Sequence, residues 1–381
     1  TAPASAPEST ATVPRNWRSI VAPFARAESG RSVFQLGTTL ALLVLALVAL
    51  YWSRQVSYLL TLALSLPTAG LLTRTFIIMH DCGHGSFFTS RRANDIVGVI
   101  TGFLTLMPYA KWRREHALHH ASSGDLDRRG VGDIYTLTMK EYFSRKWLGR
   151  LGYRLVRTPA FLLTIGPVYF FLHQRWPSRG KDAAKDELSS VILTNIAVMG
   201  FIAIFVLLLG TRTVLTTYLP AYYLSVFGGI WLFFAQHQFE DAYWAEHDEW
   251  DYANAAIRGS SYLKLPKVLQ WFTGNIGLHH VHHLSPKIPN YKLEAAHLSN
   301  PMFELAPVLK MTDAVRVLRL ALYDEEQRKL VSFGEAKRRF RSRRARRTAQ
   351  LISRARRLRL PASRVPPSFR RPAPDQSADR R

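Results

Sequence analysis

Histidines recur in three short clusters whose spacing is suited to binding metal ions. Eight of the thirteen histidines define these clusters, which read His80-Asp-Cys-Gly-His84, His116-Ala-Leu-His119-His120 and His279-His-Val-His282-His283, and His280 lies inside the third cluster as well. Residues three and four apart share one face of a helix, so each cluster directs two or three imidazoles toward one point. A catalytic zinc takes about three protein ligands, whereas eight clustered imidazoles suit two six-coordinate ions with open positions. The clusters therefore predict a histidine-rich metal centre and favour two iron ions over zinc.

The remaining histidines comprise one further candidate ligand and four expected non-ligands. His237 follows the last long apolar run by two residues, at the predicted height of the first cluster, and is the candidate ninth ligand. His247 lies among acidic residues and is expected to be exposed. His280 faces away from its neighbours at helical spacing, which predicts a place behind the ligands or in solvent. His173 and His297 are isolated, which favours structural roles.

Carboxylates near the clusters are candidates to support the ligands. A metal-bound imidazole usually donates its other N–H group to a carboxylate, a carbonyl oxygen or water. Four acidic residues lie close in sequence to the candidate ligands: Asp81, Glu115, Glu240 and Asp241. The sequence does not pair them with particular histidines, and it assigns no catalytic side chain apart from the metal centre itself.

Long apolar runs supply the elements that must position the clusters. Each is long enough to cross a bilayer core as a helix, and the predicted spans cover residues 33–52, 56–79, 188–209 and 214–235. Shorter runs at 96–110 and 160–172 are predicted to be interfacial helices. The pattern predicts an all-α membrane protein with four transmembrane helices in two hairpins. A cytoplasmic helical cap would carry the histidine-rich di-iron site.

The distribution of charge predicts orientation and three regions. The hairpin turns hold one Arg each, whereas the long connections hold nearly all Lys and Arg, which places those connections and both termini in the cytoplasm. Residues 337–381 contain 17 Lys and Arg against two Asp, which predicts a disordered polybasic tail that binds anionic lipid. Without an aromatic platform between its arginines, nucleic-acid binding is not expected. A disordered N-terminal segment, 1–32, and a membrane domain, 33–336, complete the predicted organisation.

The clusters and their connecting segments resemble the integral-membrane fatty acid desaturases. The resemblance runs from Phe76 to Ala296 and includes His119-His120-Ala-Ser-Ser-Gly-Asp, Gln236-His-Gln-Phe-Glu-Asp and Gly274-Asn-Ile-Gly-Leu-His-His. It is greatest to bacterial acyl-lipid enzymes of the Δ5 and Δ12 (ω-6) types. In that family the boxes bind two irons, which activate O2 and remove two hydrogens from an acyl chain. The resemblance implies iron ligation by His80, His84, His116, His119, His120, His279, His282 and His283, with His237 as the extra histidine.

The same resemblance implies partners and a location. The expected substrate is an acyl chain of a membrane lipid, and the expected product carries a cis double bond. Electrons are expected from a separate protein, ferredoxin or a similar small carrier, and the expected location is the bacterial inner membrane with a cytoplasmic active site. The third box begins with His279, whereas front-end desaturases carry Gln there.

The sequence is compatible with two other functions. Activated iron can return oxygen to the carbon, as in the hydroxylases and ketolases of the same superfamily. A metal-binding membrane protein without enzymatic activity is the other alternative. The histidine boxes do not separate desaturation from hydroxylation, and only the wider resemblance favours a desaturase.

Overall fold

The computed structural model describes residues 13–130, 132–178 and 185–358, which are mostly helical, as predicted. The α-helices are α1 Trp17–Val21, α2 Ser29–Ser53, α3 Tyr58–His84, α4 Arg91–Leu104, α5 Tyr109–Ser122, α6 Met139–Ser144, α7 Trp147–Val156, α8 Pro159–Gln174, α9 Lys185–Leu209, α10 Thr211–Thr213, α11 Leu219–His237, α12 Tyr252–Arg258, α13 Lys267–Phe272, α14 His279–Leu284, α15 Leu293–Leu298, α16 Met311–Arg316 and α17 Phe333–Leu358. A π-helical turn, Val214–Tyr218, joins α10 to α11, and 3-10 turns occur at His247–Glu249, Asn290–Lys292, Pro301–Leu305 and Val317–Arg319.

Four helical segments are long and apolar enough to cross a membrane, and this confirms the predicted number. They are α2, α3, α9 and the continuous helix Thr211–His237 that α10, the π-turn and α11 form. Most side chains of α9 face away from the rest of the protein, and they are almost entirely apolar. Such a surface is favourable against lipid and unfavourable against water.

The helix α3 reaches from its membrane span to the first histidine cluster. Ser57 caps its start by accepting a hydrogen bond from the Leu59 amide, and Gly85, with a φ of 62°, ends it in the left-handed conformation. Its 27 residues extend over about 40 Å, which is about 10 Å more than a hydrocarbon core. The predicted span at 56–79 is therefore the membrane part of a longer helix, and the first cluster lies on its extension.

The two predicted interfacial segments have different outcomes. The segment at 96–110 is divided between two helices, because Leu106 has a positive φ of 59° and Pro108 precedes the first residue of α5. Left-handed backbone at a non-glycine residue does not continue a helix. The segment at 160–172 corresponds to α8, which meets α7 at a bend of 78°, so the pair is either a broken span or a re-entrant loop. Its interfacial position stays a prediction.

Two small β-sheets, which the sequence analysis does not predict, join distant segments. The strands are β1 Leu137–Thr138, β2 Tyr262–Leu263, β3 Val308–Leu309, β4 Leu320–Asp324 and β5 Lys329–Ser332. β1 pairs in parallel with β4, which pairs antiparallel with β5, and β2 pairs in parallel with β3. Strands of two to five residues are too short to give a periodic pattern in the sequence.

Part of the N-terminal segment that we expect to be disordered is ordered. Trp17 stacks on Tyr252 with ring centroids 5.9 Å apart. Val13 and Ile20 pack against the buried core that surrounds α12 and α14. Burial of these apolar side chains favours order in residues 13–32, because each buried methylene group contributes about 0.8 kcal/mol. Residues 1–12 lie outside the described part of the chain.

The Arg-rich helix α17 belongs to a second compact unit, which begins at Gly334. This helix covers residues 337–358, which we expect from composition to be disordered. Arg, Ala, Leu and Gln all have high helix propensity, so a segment rich in them is helical although it has little apolar surface. Residues 359–381, the rest of the predicted tail, lie outside the described residues.

The packing of α4 on α5 predicts the effect of a substitution at Gly98. A Cβ atom there would overlap the ring of Tyr109, whose hydroxyl donates to the Cys82 carbonyl oxygen at 2.9 Å. We expect G98A to lower the free energy of unfolding by about 1–3 kcal/mol through overpacking, measured by thermal unfolding in detergent. The matched change G152A, at an open site in α7, should raise it by about 0.5–1 kcal/mol. Equal melting temperatures for the two variants would contradict this prediction.

Candidate metal centre

Four helices contribute histidine side chains to one region. They come from the last two turns of α3, the second half of α5, the final residue of α11 and three of the six residues of α14. The nine histidines are His80, His84, His116, His119, His120, His237, His279, His282 and His283. The structure thus brings together all eight residues of the three clusters and the candidate ninth, His237.

The local sequence of each helix explains how it presents these side chains. His80 and His84 are one turn apart on α3, so they project from the same face. The short helix α14 is anchored by Val281 and Leu284, which are buried in the apolar core. That anchoring leaves the opposite face of α14 for its three clustered histidines, as helical spacing predicts.

The first group contains five histidines: His80, His84, His116, His120 and His282. One ring nitrogen of each lies within 4.8 Å of the others. His120 Nε2 lies 3.1 Å from His116 Nε2 and 3.0 Å from His282 Nε2. The Nε2 atoms of His80 and His84 are buried and have no hydrogen-bond partner among the described residues. Five nitrogen atoms thus converge on one small volume.

The second group contains four buried histidines: His119, His237, His279 and His283. His119 Nε2 lies 3.2 Å from His237 Nε2 and 3.3 Å from His283 Nε2, and His237 Nε2 lies 2.9 Å from His279 Nε2. The two groups adjoin, because the rings of His120 and His283 stack with centroids 4.1 Å apart. Helices α5 and α14 each contribute to both groups, which therefore form one centre with two subsites.

The spacing and protonation of the rings fit metal ions. Two imidazole nitrogens bound to one ion at about 2.1 Å and at right angles lie about 3.0 Å apart, which is near the observed separations. Burial is the main cause that holds the pKa of five of these histidines well below the usual range, and the neighbouring imidazoles lower it further. The five are His116, His120, His279, His282 and His283. These rings are neutral at pH 7, which is the form of imidazole that binds metal.

Two aspartates contact the Nδ1 atoms of His80 and His119, on the side of each ring away from its Nε2 atom. His80 Nδ1 lies 3.0 Å from Asp81 Oδ1, and Asp81 Oδ2 accepts hydrogen bonds from the backbone and side-chain nitrogens of Asn290 at 2.7 and 2.8 Å. Asp133 Oδ1 is in hydrogen-bond contact with His119 Nδ1. A carboxylate in this position favours the tautomer whose Nε2 is free for a metal.

Asp133 is a residue that reasoning from the sequence misses. It lies 14 residues beyond His119, in a segment where Gly130 and Gly132 have positive φ angles. A Cβ atom at Gly132 would lie 2.8 Å from the Glu115 carbonyl oxygen and 3.1 Å from His119 Cβ. Glycine therefore lets this segment lie directly against α5. Closely spaced glycines before an aspartate are the only signal in the sequence, and they do not specify a partner.

The other three candidate carboxylates have different partners. Glu115 lies 3.2 Å from Lys111 Nζ and 3.4 Å from His173 Nε2, and it accepts a hydrogen bond from Gln174 at 2.8 Å. Glu240 and Asp241 are exposed, and Lys329 Nζ lies 3.9 and 2.9 Å from their carboxylates. Of the four sequence candidates, the structure places only Asp81 against one of the nine histidines.

The remaining histidines lie outside both groups. His280 is buried, which excludes the solvated alternative, and its Nε2 lies 3.1 Å from His297 Nδ1. His247 is exposed, as predicted, and its Nδ1 lies 2.8 Å from Asp125 Oδ2. These contacts hold loops together and do not reach the converging nitrogens.

Comparison with known proteins identifies the family of this chain. The sequence model of the fatty acid desaturase family matches residues 55–308, a range that contains all nine histidines. The chain belongs to this family. A fatty acid desaturase of Bacillus subtilis (strain 168) is 45% identical to this desaturase over 314 residues, which are 82% of this chain and 89% of that protein.

More distant relatives are named as acyl-lipid desaturases. The sn-1 oleoyl-lipid 12-desaturase of Anabaena variabilis is 27% identical over 68% of this chain and 75% of its own length. The sn-1 acyl-lipid omega-3 desaturase (ferredoxin) of Synechocystis sp. is 27% identical over 58% of this chain and 62% of its own length. Family membership, four apolar helices and two histidine groups together support a membrane-bound metal site.

The contact between Asp133 and His119 predicts a role in metal retention. We expect D133N to weaken metal binding about 10–100-fold, because the amide lacks the negative charge that supports the Nδ1–H group. Metal per chain after titration with a chelator measures this effect. D125N is the matched control, since Asp125 makes the same type of contact with His247, outside both groups. Wild-type retention in D133N would contradict the prediction.

The lowered histidine pKa values predict how the stability of the metal-free desaturase depends on pH. In the unfolded chain these histidines bind protons near their ordinary pKa of about 6.5, whereas in the folded protein they stay neutral to lower pH. The unfolded state then binds more protons, so stability is present above about pH 6.5 and is lost as the pH falls below it. The melting temperature should therefore fall toward about pH 5, and less steeply in H283Q. A melting temperature that rises on acidification would contradict this.

Proposed function

We propose that the two histidine groups bind two iron ions and that this desaturase introduces a cis double bond into an acyl chain of a membrane lipid. The first group supplies five imidazoles to one ion, and the second supplies four to the other. Imidazole alone does not distinguish iron from zinc or copper. Zinc has no redox chemistry, however, and a desaturase must oxidise its substrate. The convergence of nine imidazoles in a desaturase-family chain is the observation that carries the proposal.

The proposed reaction removes one hydrogen from each of two adjacent methylene groups. It consumes O2, two electrons and two protons, and it yields a double bond and two water molecules. Methylene C–H bonds have no acidic proton, so side chains that transfer protons cannot break them. Bound iron supplies the oxygen activation that this step requires.

The chain's own residues orient and shield the proposed iron site. Trp112 stacks on His116 with ring centroids 4.4 Å apart, and Phe233 lies 5.1 Å from His119. With the two aspartates at His80 and His119, these contacts fix the directions of the ligand nitrogens. The aromatic rings also limit the entry of water, which protects the reacting carbons from side reactions.

The position of the ligands supports a lipid substrate. His80 and His84 lie on the extension of α3 and His237 ends α11, and both helices belong to segments that are able to cross a membrane. An acyl chain of the bilayer can approach the ends of such helices from an apolar environment. The relatives from Anabaena and Synechocystis, both named as lipid desaturases, support the same substrate class.

The proposed desaturase also needs an electron donor and a membrane location. Relatives from Synechocystis and Helianthus annuus are named as ferredoxin enzymes, which supports ferredoxin or a similar small carrier as the electron donor. The distribution of Lys and Arg supports a position of the active site and both termini in the cytoplasm. The similarity to the Bacillus subtilis desaturase supports a bacterial inner membrane as the location. We assign the desaturase domain to residues 33–336 and contact with anionic lipid to the basic tail, 337–381.

Lipid analysis tests the type of reaction. The protein is expressed in a bacterial host of defined lipid composition, and fatty acid methyl esters are analysed by mass spectrometry. We expect a new species that lacks two hydrogens relative to a host acyl chain, and its fragmentation reports the position of the double bond. A hydroxylated chain without a new double bond would instead identify a hydroxylase.

Substitution of one proposed ligand tests the metal centre. We expect H120A to lower product formation by at least about 100-fold and to lower iron, measured by elemental analysis, below two per chain. His247 lies outside both groups, so H247A is the matched control and should keep product and iron at wild-type levels. Full activity of a folded, membrane-inserted H120A variant would contradict the proposal, and so would tightly held zinc in the wild-type protein.

A further inference from the structure

The accessible edge of the metal centre lies at the first group. All four histidines of the second group are buried, whereas His84 and His116 of the first group are only partly buried. Gly85, which ends α3 directly after His84, is exposed. Among the nine histidines, the shortest approach from solvent therefore leads to His84 and His116.

Two cationic side chains flank this edge. Lys287 is exposed and donates a hydrogen bond from Nζ to the His84 carbonyl oxygen at 2.6 Å. Arg113 packs beside Gly83, where a Cβ atom would lie 3.7 Å from Arg113 Cγ. Residues 83–85 therefore lie between a lysine and an arginine. We call these three residues, with Lys287 and Arg113, the basic edge.

One of the two cations of the basic edge is neutralised within the protein and the other is not. Asp95 pairs with Arg113 at 2.8 Å. Lys287, by contrast, has no carboxylate partner in the part of the chain that the structure describes. Arg91 and Arg92 follow Gly85 closely in sequence, are exposed at the start of α4, and likewise have no carboxylate partner among the described residues. Lys287 is thus the cation of the basic edge that is available to an acidic partner.

We propose that the basic edge is the docking surface for an acidic electron-carrier protein and that electrons enter the centre through the first group. The inference rests on the proposed function, which requires two electrons from a separate carrier. Gly85 directly follows His84, which belongs to the first group, so a carrier in contact with Gly85 lies next to a residue of that group. Gly85 is exposed and has no side chain, so a partner surface can approach its backbone closely.

The position of the basic edge favours a protein partner over lipid headgroups. It adjoins His84, one of the two partly buried histidines of the first group, where a partner must approach if electrons are to enter through that group. Opposite charges on two proteins accelerate their encounter about 10- to 1,000-fold, and salt reduces this effect. The basic edge therefore predicts electron transfer that is fast at low ionic strength and slower in salt.

Charge reversal at Lys287 tests this surface. Iron-loaded, full-length protein in nanodiscs of neutral lipid is mixed without O2 with a reduced acidic [2Fe–2S] ferredoxin, and iron reduction is followed by stopped-flow absorbance. We expect K287E to lower the second-order rate constant about tenfold at low ionic strength and K287Q about threefold, with little difference near 1 M salt. K140E, at an exposed lysine of α6, is the matched control and should react at the wild-type rate.

Two further measurements separate docking from support of the ligands. Iron content, and the rate of reduction by a small uncharged hydroquinone, should be unchanged in K287E and K287Q. A wild-type rate of K287E with ferredoxin would overturn the docking surface. Equal losses with both reductants would also overturn it, since Lys287 would then act on His84. An effect confined to nanodiscs of anionic lipid would assign Lys287 to lipid instead. Wild-type protein that binds no iron would contradict the proposed function, not the surface.

Discussion

Nine imidazoles are directed at two small volumes, and the protein does not provide hydrogen-bond partners for all of their ring nitrogens. Ring nitrogens approach to 2.9 Å, and the Nε2 atoms of His80 and His84 have no donor among the described residues. A buried polar atom without a partner costs about 1–3 kcal/mol, so the groups are unfavourable until a cation joins them. The surrounding structure must therefore hold the rings in place against this cost. The long helices and the apolar core of the fold provide this support.

The support comes from elements that are fixed independently of the metal. The ends of α3 and α11 are continuations of long apolar helices, so membrane insertion sets their positions. The helix α14 has no such anchor and depends on the apolar core that Val281 and Leu284 join, together with residues near the N-terminus. Asn290 connects α3 to the segment that follows α14, because it donates hydrogen bonds to the same Asp81 carboxylate that contacts His80.

Local patterns in the sequence were enough to predict the four apolar helices, the three clusters and the candidate His237. Hydropathy and histidine spacing are both periodic within one helix, so no knowledge of distant contacts is needed. Asp133, the order of residues 13–32 and the short strands depend on contacts between distant segments, which the sequence does not specify. The break at Leu106 depends on a backbone conformation that leucine rarely adopts. Composition also underestimated helix formation in α17, where propensity outweighs the lack of apolar surface.

The distribution of the histidines between the groups has a consequence for biosynthesis. The first group combines four residues that precede α9 with His282, and the second combines His119 with three residues from the end of α11 onward. Chains are synthesised from the N-terminus, so the first group is complete only after His282 and the second only after His283, when all four apolar helices have been made. An ion that requires a complete group can therefore bind only after the fourth apolar helix has been made, and a truncated chain that lacks α14 cannot assemble either group.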